Sequence, residues 1–95
     1  MKKATDVKFK KWECKALISE YTRGGKAIQL VDEEGPVATA TIWIDDLAED
    51  ELAIKDYSEN EGMLDCLLES GLIEKPHRWE FVGFARVPVT RLKTK

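Results

Sequence analysis

The feature that most constrains the fold is a side-chain alternation with a period of two residues, repeated along the chain. Residues 9–22 show it first, with four small or apolar side chains on one side of the segment: Trp12, Cys14, Ala16 and Ile18. A period of two is typical of a β-strand that buries one face. Residues 27–31 and 37–44 continue the pattern and predict two further strands.

Turn residues separate these three segments. Gly24 and Gly25 supply the positive φ angles that a two-residue type I′ hairpin turn requires. Residues 32–36 end in Gly35 and Pro36, which favour a bend. The sequence therefore predicts a three-stranded antiparallel meander.

A helix is predicted after an acidic connector, residues 45–51, and a short strand, residues 52–57. Ser58 and Glu61 have the S-x-x-E spacing of a capping box, in which each side chain satisfies a free backbone amide. We expect a helix over residues 59–70 that ends at Gly71 in a Schellman-type cap. Three leucines at helical spacing should be buried against the sheet: Leu64, Leu67 and Leu68.

The C-terminal part again alternates with a period of two. Residues 79–89 predict one long final strand, which should have an edge or an end at Pro88 because proline donates no ladder hydrogen bond. Several antiparallel strands with one amphipathic helix indicate an α+β fold, a sheet packed on a single helix. We expect residues 1–95 to form one domain that frays at both termini, including residues 91–95.

Composition supports a folded chain of modest stability. Hydrophobic residues are 43% and charged residues 35% of the 95 positions, which indicates a compact core and argues against global disorder. A core this small is compatible with a homodimer that hides more apolar surface.

Charge is distributed unevenly along the chain. Residues 1–31 hold 8 Lys and Arg against 3 Asp and Glu, residues 32–74 hold 1 against 14, and residues 75–95 hold 6 against 1. If the two basic ends lie side by side, the protein has a basic face and an acidic face that bias the choice of partner. The alternative is that the opposite charges neutralise one another across the fold.

The compartment is predicted from cysteine usage and from hydropathy. The N-terminus has no apolar run typical of an export signal, and no window is long and apolar enough for a membrane span. Cys14 and Cys66 lie 52 positions apart, so we expect free thiols in a reducing cytoplasm.

Residue types for catalysis or metal binding are sparse, so we predict a protein that is not an enzyme and takes no cofactor or metal. His77 is the only histidine, and a Cys66–His77 pair would still need an orienting group and oxyanion donors. The acidic connector lacks the spacing and the glycine of an EF-hand loop. Residues 23–26 lack the glycine and the Ser or Thr of a phosphate-binding loop.

Aromatic and basic residues interleave near both ends. The period of two sends Trp12, Trp79 and Phe81 towards the core, so a structural role is the favoured interpretation. The same pattern places Phe9, Trp43 and Phe84 on the opposite faces, where they are candidates for an exposed interface.

The run of residues 54–64, with residues 68–73 and 38–42, resembles a family of small uncharacterised bacterial proteins carried on conjugative and other mobile elements. The family is a domain of unknown function, so the resemblance transfers no catalytic residues. It implies a bacterial cytoplasm and an accessory role. Within the run, four residues are not needed for a helix start in that combination and are candidate interaction residues: Asp56, Tyr57, Asn60 and Gly62.

Three functional hypotheses follow. The first is a non-enzymatic accessory module that binds another protein, whose identity the sequence does not give. The second is nucleic-acid binding through the basic terminal strands, where rings could stack on bases. The third is that the acidic middle mimics DNA and inhibits a DNA-binding enzyme.

Overall fold

The computed structural model describes residues 5–93 and confirms the α+β class. The strands are β1 (Thr5–Phe9), β2 (Trp12–Glu20), β3 (Lys26–Asp32), β4 (Gly35–Thr39), β5 (Thr41–Ile42), β6 (Glu51–Ile54), β7 (Arg78–Val82) and β8 (Ala85–Arg91). A 3-10 turn, Ser58–Asn60, precedes the α-helix α1 (Met63–Glu69). The strands form two antiparallel sheets, sheet A in the order β1-β2-β3-β4 and sheet B in the order β5-β6-β8-β7.

The two sheets are joined where one extended segment passes from sheet A to sheet B at Ala40. The Ala40 N–H donates to the Ile28 carbonyl of β3 at 2.9 Å, and the Ala40 carbonyl accepts from the Lys55 N–H at 2.8 Å. The single strand predicted for residues 37–44 is therefore divided between β4 and β5. A strand that changes sheets makes a corner, and the core fills the space that the corner encloses.

The main core lies between sheet A, one face of β6 and α1. Its buried apolar residues are Val7, Phe9, Cys14, Ala16, Ile28, Leu30, Ala40, Leu52, Ile54, Met63, Leu67 and Ile73. A second, smaller cluster on the other face of sheet B contains Ala53, Val87 and Val89. Sheet B thus has buried residues on both of its faces.

Two hairpin turns were absent from the prediction, and each one reverses which residues share a face. Lys10 and Lys11 form a turn between β1 and β2, and Phe9 pairs directly with Trp12. Opposite residues of an antiparallel pair point to the same face, so Phe9 faces the core and is only 3% exposed. The prediction of an exposed Phe9 was wrong because residues 9–22 are not one strand.

The second missed turn, Gly83 and Phe84, divides residues 79–89 into β7 and β8. Val82 pairs with Ala85, and Gly83 has φ 61, as a two-residue turn with glycine first requires. Odd-numbered residues of β7 therefore share a face with even-numbered residues of β8. This geometry overturns the prediction that Trp79 and Phe81 share the core face with Val87 and Val89.

The predicted glycine turn is longer than expected. Gly24 and Gly25 adopt positive φ angles of 103° and 90°, as predicted. However, Glu20 pairs with Lys26, so residues 21–25 form the loop instead of a two-residue turn. The predicted meander gains β1 as its fourth strand, giving sheet A.

The helix is shorter than predicted. Its C-terminal end agrees with the prediction, and its N-terminal end does not. At the C-terminus, Gly71 has φ 79, and the N–H groups of Gly71 and Leu72 donate to the Leu68 and Leu67 carbonyls. These bonds are a Schellman motif and confirm the predicted stop. Met63 and Leu67 are fully buried, whereas Leu64 and Leu68 are half-buried against the core.

The predicted capping box at the helix start was wrong. Ser58 makes no capping hydrogen bond and instead begins the 3-10 turn with φ 55. Asp56 takes the capping role from further upstream. Its Oδ1 accepts from the Gly62 N–H at 2.9 Å and from the Leu64 N–H at 3.0 Å.

Residues 91–93 of the C-terminal segment that we predicted to fray are paired with the rest of the fold. Arg91 belongs to β8, Leu92 forms a bridge with Ile73, and the Lys93 N–H donates to the Leu72 carbonyl at 2.8 Å. The remaining residues of the predicted frayed ends, 1–4 and 94–95, lie outside the described residues. Within residues 5–93 no helix is long and apolar enough to cross a membrane.

Candidate functional site

The β7–β8 hairpin carries a group of exposed aromatic side chains. Trp79 is 42% exposed, Phe81 is 75% exposed, and Phe84 at the turn is fully exposed. Phe81 pairs with Arg86, whose guanidinium carbon lies 4.2 Å from the centre of the Trp79 ring. We call these four residues the aromatic surface.

The aromatic surface is exposed because the hairpin extends beyond the core. On the same face of β8, Thr90 pairs with Leu52 and is fully buried, and Pro88, opposite Trp79, is also buried. Arg86, two residues further towards the turn, is exposed. The core therefore covers this face of the hairpin at Thr90 and Pro88 and leaves the part nearer the turn, from Arg86 onwards, exposed to solvent.

A buried carboxylate holds the opposite face of the hairpin. Glu51, at the start of β6, is 5% exposed. Its Oε1 lies 2.9 Å from Arg78 Nη2 and its Oε2 lies 3.4 Å from Arg78 Nε, an ion pair with two contact points. The Ala48 N–H also donates to Oε1 at 3.0 Å, and Arg91 Nη2 approaches Oε2 at 3.8 Å.

His77 completes this cluster. Its Nε2 lies 2.6 Å from Glu51 Oε2, and its Nδ1 lies 3.5 Å from Arg91 Nη1. An ionised carboxylate can only accept, so His77 Nε2 carries a proton that it donates to Glu51. Both ring nitrogens are directed at residues of the cluster.

The electrostatics favour an ionised Glu51. Hydrogen bonding from Arg78 is the largest cause that lowers the pKa of this carboxyl to about 2, and the Ala48 N–H and His77 act in the same direction, against the desolvation that raises it. A buried charge is tolerated where it is paired and hydrogen-bonded in this way. The cluster therefore connects β6 to β7 and β8, and the acidic connector contributes the Ala48 N–H to it.

The acidic connector, residues 45–51, neutralises the basic C-terminal strands. The Asp46 carbonyl accepts from Arg78 Nη2 at 2.9 Å, and Asp50 Oδ2 lies 2.8 Å from Arg91 Nε. The basic N-terminal segment forms strands of sheet A, so the two basic ends belong to different sheets. For the C-terminal strands, the charge pattern thus corresponds to neutralisation across the fold.

Three of the four residues singled out near the helix have structural contacts. Asp56 caps α1, as described above. Asn60 is 2% exposed, and its Nδ2 donates to the Thr39 carbonyl at 2.7 Å. Gly62 is the helix N-cap with φ 96, a left-handed conformation that glycine adopts without strain.

Tyr57 and Trp43 are half-buried beside cations. Lys55 Nζ lies 5.7 Å from the centre of the Tyr57 ring, and the Arg23 guanidinium lies 5.1 Å from the centre of the Trp43 ring. The Trp43 Nε1 is buried without a hydrogen-bond partner among residues 5–93. Trp43 is therefore less exposed than the sequence pattern predicts, whereas the predicted exposure of Phe84 is confirmed.

The two thiols are poorly suited to ionise. Burial is the main cause that raises the pKa of Cys66 to about 11, and burial followed by the charge of Asp32 raises the pKa of Cys14. Both cysteines are free. Within residues 5–93, no three His, Cys, Asp or Glu side chains come together in a way that could hold a metal ion.

A groove of about 700 Å³ lies at one end of sheet A, away from the aromatic surface. Its lining includes Asp6 and Lys15, which form an ion pair with each other, and the buried Cys14. The lining contains four acidic and two basic side chains and no aromatic ring, whereas the β7–β8 hairpin presents three exposed rings together, so we place the candidate site on the hairpin.

Comparison with protein-family models, with curated proteins and with solved structures gave no match for this chain. The resemblance to mobile-element proteins stays a prediction. A function for this chain is therefore inferred from the geometry of the described residues.

Sequence reasoning missed Trp79 and Phe81 as surface residues and did not single out Glu51; it also placed Trp12, which is 37% exposed, towards the core. A signal for the first two was present, since Gly83 and Phe84 are a Gly-X pair between alternating segments, which is typical of a type II′ hairpin turn. No local signal marks Glu51, because Arg78 lies 27 positions away along the chain.

Proposed function

We propose that this chain is a non-enzymatic accessory module that binds another protein through the aromatic surface of the β7–β8 hairpin. The observation that carries the proposal is the exposure of Trp79, Phe81 and Phe84 on one short hairpin. Large aromatic side chains with a neighbouring arginine are the composition of energetically dominant sites in protein interfaces. Their exposure in an isolated chain has a cost that a partner would remove.

The charge around the hairpin favours a protein over a nucleic acid. Arg78 and Arg91 are ion-paired to the acidic connector and to Glu51, and Arg86 stacks on Trp79. A surface that tracks a phosphate backbone needs several uncommitted cations in a row. The acidic connector beside the hairpin would also repel a polyanion.

We expect the partner protein to be made in the same cell, and from the same genetic element, as this chain. The resemblance to mobile-element proteins supports a partner encoded on the same element and present in a bacterial cytoplasm. Under this proposal the hairpin is rigidly presented, because the Glu51 cluster fixes the face opposite to the rings.

Affinity purification from the cell that makes the protein tests the proposal. The bait is compared with a Phe81→Ser/Phe84→Ser variant, and Leu17→Ser serves as the matched control because Leu17 is 41% exposed on β2 of sheet A. We expect a protein that the bait and the control retain and the hairpin variant loses by at least about tenfold, equivalent to 1.4 kcal/mol.

Nuclease treatment and salt separate the alternatives. A protein partner should survive nuclease and resist moderate salt, whereas capture through nucleic acid should be lost under both conditions. Equal recovery on all three baits would contradict the proposal. Inhibition of a DNA-processing enzyme by the Phe81→Ser/Phe84→Ser variant, at the potency of the unmodified chain, would instead support the DNA-mimic alternative.

A further inference from the structure

β7 is a free edge of sheet B. Among residues 5–93 it pairs only with β8, and the ladder between them is regular from Arg78 to Val82. Hydrogen bonding alternates along an antiparallel ladder, so a two-residue turn leaves the backbone N–H and C=O groups of Trp79 and Phe81 directed away from β8. No described residue forms a hydrogen bond with these outward groups.

On the face that carries the exposed rings, β7 lacks the charged side chains that protect the β1 edge of sheet A. The charged residues of β7, Arg78 and Glu80, lie on its opposite face. β1 carries Asp6 and Lys8 on its solvent side, and Asp6 is ion-paired to Lys15 of β2. Charged residues of this kind discourage pairing with another chain. On its solvent side β7 presents Trp79 and Phe81 instead, so its backbone edge and its rings are accessible together.

The sequence of β7 is self-complementary in one antiparallel register. If two copies meet with Trp79 opposite Trp79, then Arg78 of each copy lies opposite Glu80 of the other. Directly opposite side chains are about 5 Å apart at Cβ, close enough for unlike charges and paired rings to stabilise the contact. Within one chain Arg78 is ion-paired to Glu80 and to Glu51, yet the Arg78 and Glu80 side chains remain 29% and 39% exposed. A second copy would therefore extend an existing ion pair across the contact.

The neighbouring registers are less favourable. A register centred on Glu80 places two carboxylates directly opposite each other, and like charges in that position are destabilising. A register centred on Phe81 sets Glu80 against the apolar Val82. Residues directly opposite each other in an antiparallel pair must point to the same face of the sheet. Registers that pair an odd-numbered residue of one copy with an even-numbered residue of the other are therefore excluded.

We infer that a second copy of this chain pairs with the free edge of β7, in an antiparallel, two-fold symmetric contact centred on Trp79. The two copies of sheet B then form one continuous sheet, and the two aromatic surfaces become neighbours on one face. A two-fold contact is closed, so assembly stops at the dimer. The dimer goes beyond the proposed function. It rests on the proposed function only because both use the β7–β8 hairpin as the contact surface.

Sedimentation equilibrium over a concentration series tests the dimer. The short edge makes a small interface, so we expect a dissociation constant of about 10 µM, within the weak class. Glu80→Arg places arginines opposite each other and should raise that constant about tenfold or more. Glu34→Arg changes the charge equally in an exposed turn of sheet A and should leave the constant unchanged. Thermal melts confirm that both variants fold.

Cysteine cross-linking tests the register independently. Trp79→Cys places two cysteines about 5.5 Å apart at Cα in the dimer, a distance that a disulfide spans. Mild oxidation should therefore link Trp79→Cys chains far faster than Phe84→Cys chains. The unmodified chain is the blank, since the natural thiols are buried or half-buried.

A chain that stays monomeric to about 1 mM, or that cross-links equally at positions 79 and 84, overturns the inference. The two proposals fail separately. A monomer that still captures a protein through Phe81 and Phe84 overturns only the dimer. A dimer whose Phe81→Ser/Phe84→Ser variant recovers the same proteins as the unmodified chain overturns only the proposed function.

Discussion

The Glu51 carboxylate and the Arg78 guanidinium meet at two points, with Oε1–Nη2 at 2.9 Å and Oε2–Nε at 3.4 Å. The pair joins the end of the acidic connector to the first residue of β7. It therefore anchors to β6 the base of the hairpin that carries Trp79 and Phe81.

Acid should weaken the fold through Glu51. The folded pKa of about 2 lies below the ordinary value of 4.5, so protonation favours the unfolded chain. The contribution of Glu51 is complete above pH 4.5 and is lost as the pH falls towards 2. We expect Glu51→Gln to cost about 2 kcal/mol at neutral pH and to melt with a flatter pH dependence across that window.

Calorimetric melts from pH 7 to pH 2 measure this difference. Glu49→Gln is the control, because Glu49 is an exposed residue of the same connector. Parallel melting curves for the unmodified chain and Glu51→Gln would show that the pair contributes nothing to acid sensitivity.

The helix cap predicts a second result, in which Asp56 matters and Ser58 does not. Asp56→Ala removes the acceptor for the Gly62 and Leu64 N–H groups and should cost about 1 kcal/mol in the free energy of unfolding. Asp56→Asn keeps an acceptor oxygen and should cost less. Ser58→Ala should change stability by less than about 0.5 kcal/mol in urea titrations. A larger loss of stability for Ser58→Ala than for Asp56→Ala would show that Ser58 caps the helix after all.

Helix burial predicts an ordering among three positions of α1. Leu67→Ala should cost about 2 to 5 kcal/mol, because Leu67 is fully buried and its truncation leaves a cavity. Leu68→Ala should cost less, since Leu68 is half-buried, and Glu69→Ala should cost less than about 0.5 kcal/mol. Chemical denaturation gives all three values. Equal costs for Leu67 and Glu69 would mean that the assigned helix face is wrong.

Close packing at Gly25 predicts a contrast between two glycines. A Cβ at Gly25 would lie 2.8 Å from Leu47 Cδ1 and 3.3 Å from the Glu51 carbonyl, and Gly25 also has φ 90. Gly71 has φ 79 but open space around it. Both alanine variants carry backbone strain, so Gly25→Ala should destabilise by about 1 kcal/mol or more beyond Gly71→Ala in the same melt. Similar losses would show that Leu47 moves aside freely.

Much of the secondary structure was predictable, because it depends on neighbours in the chain. The alternation in residues 27–31 corresponds to β3, and Gly71 ends the helix with the expected hydrogen bonds. Faces were predicted correctly within single strands, as for Cys14 and Ala16. They failed across turns, since a two-residue turn after Phe9 or Val82 changes which residues lie opposite each other.

The sequence by itself determined the α+β class, the period of the strands and the helix stop, since these follow from backbone preferences and local spacing. Only the tertiary structure decided that Phe9 is buried while Trp79 and Phe81 are exposed. An amphipathic strand has one apolar face at any point along its length, but whether that face is covered depends on where the core ends. Here the core ends between Pro88 and Arg86, and the pair between Glu51 and Arg78, 27 positions apart in the sequence, anchors the base of the hairpin.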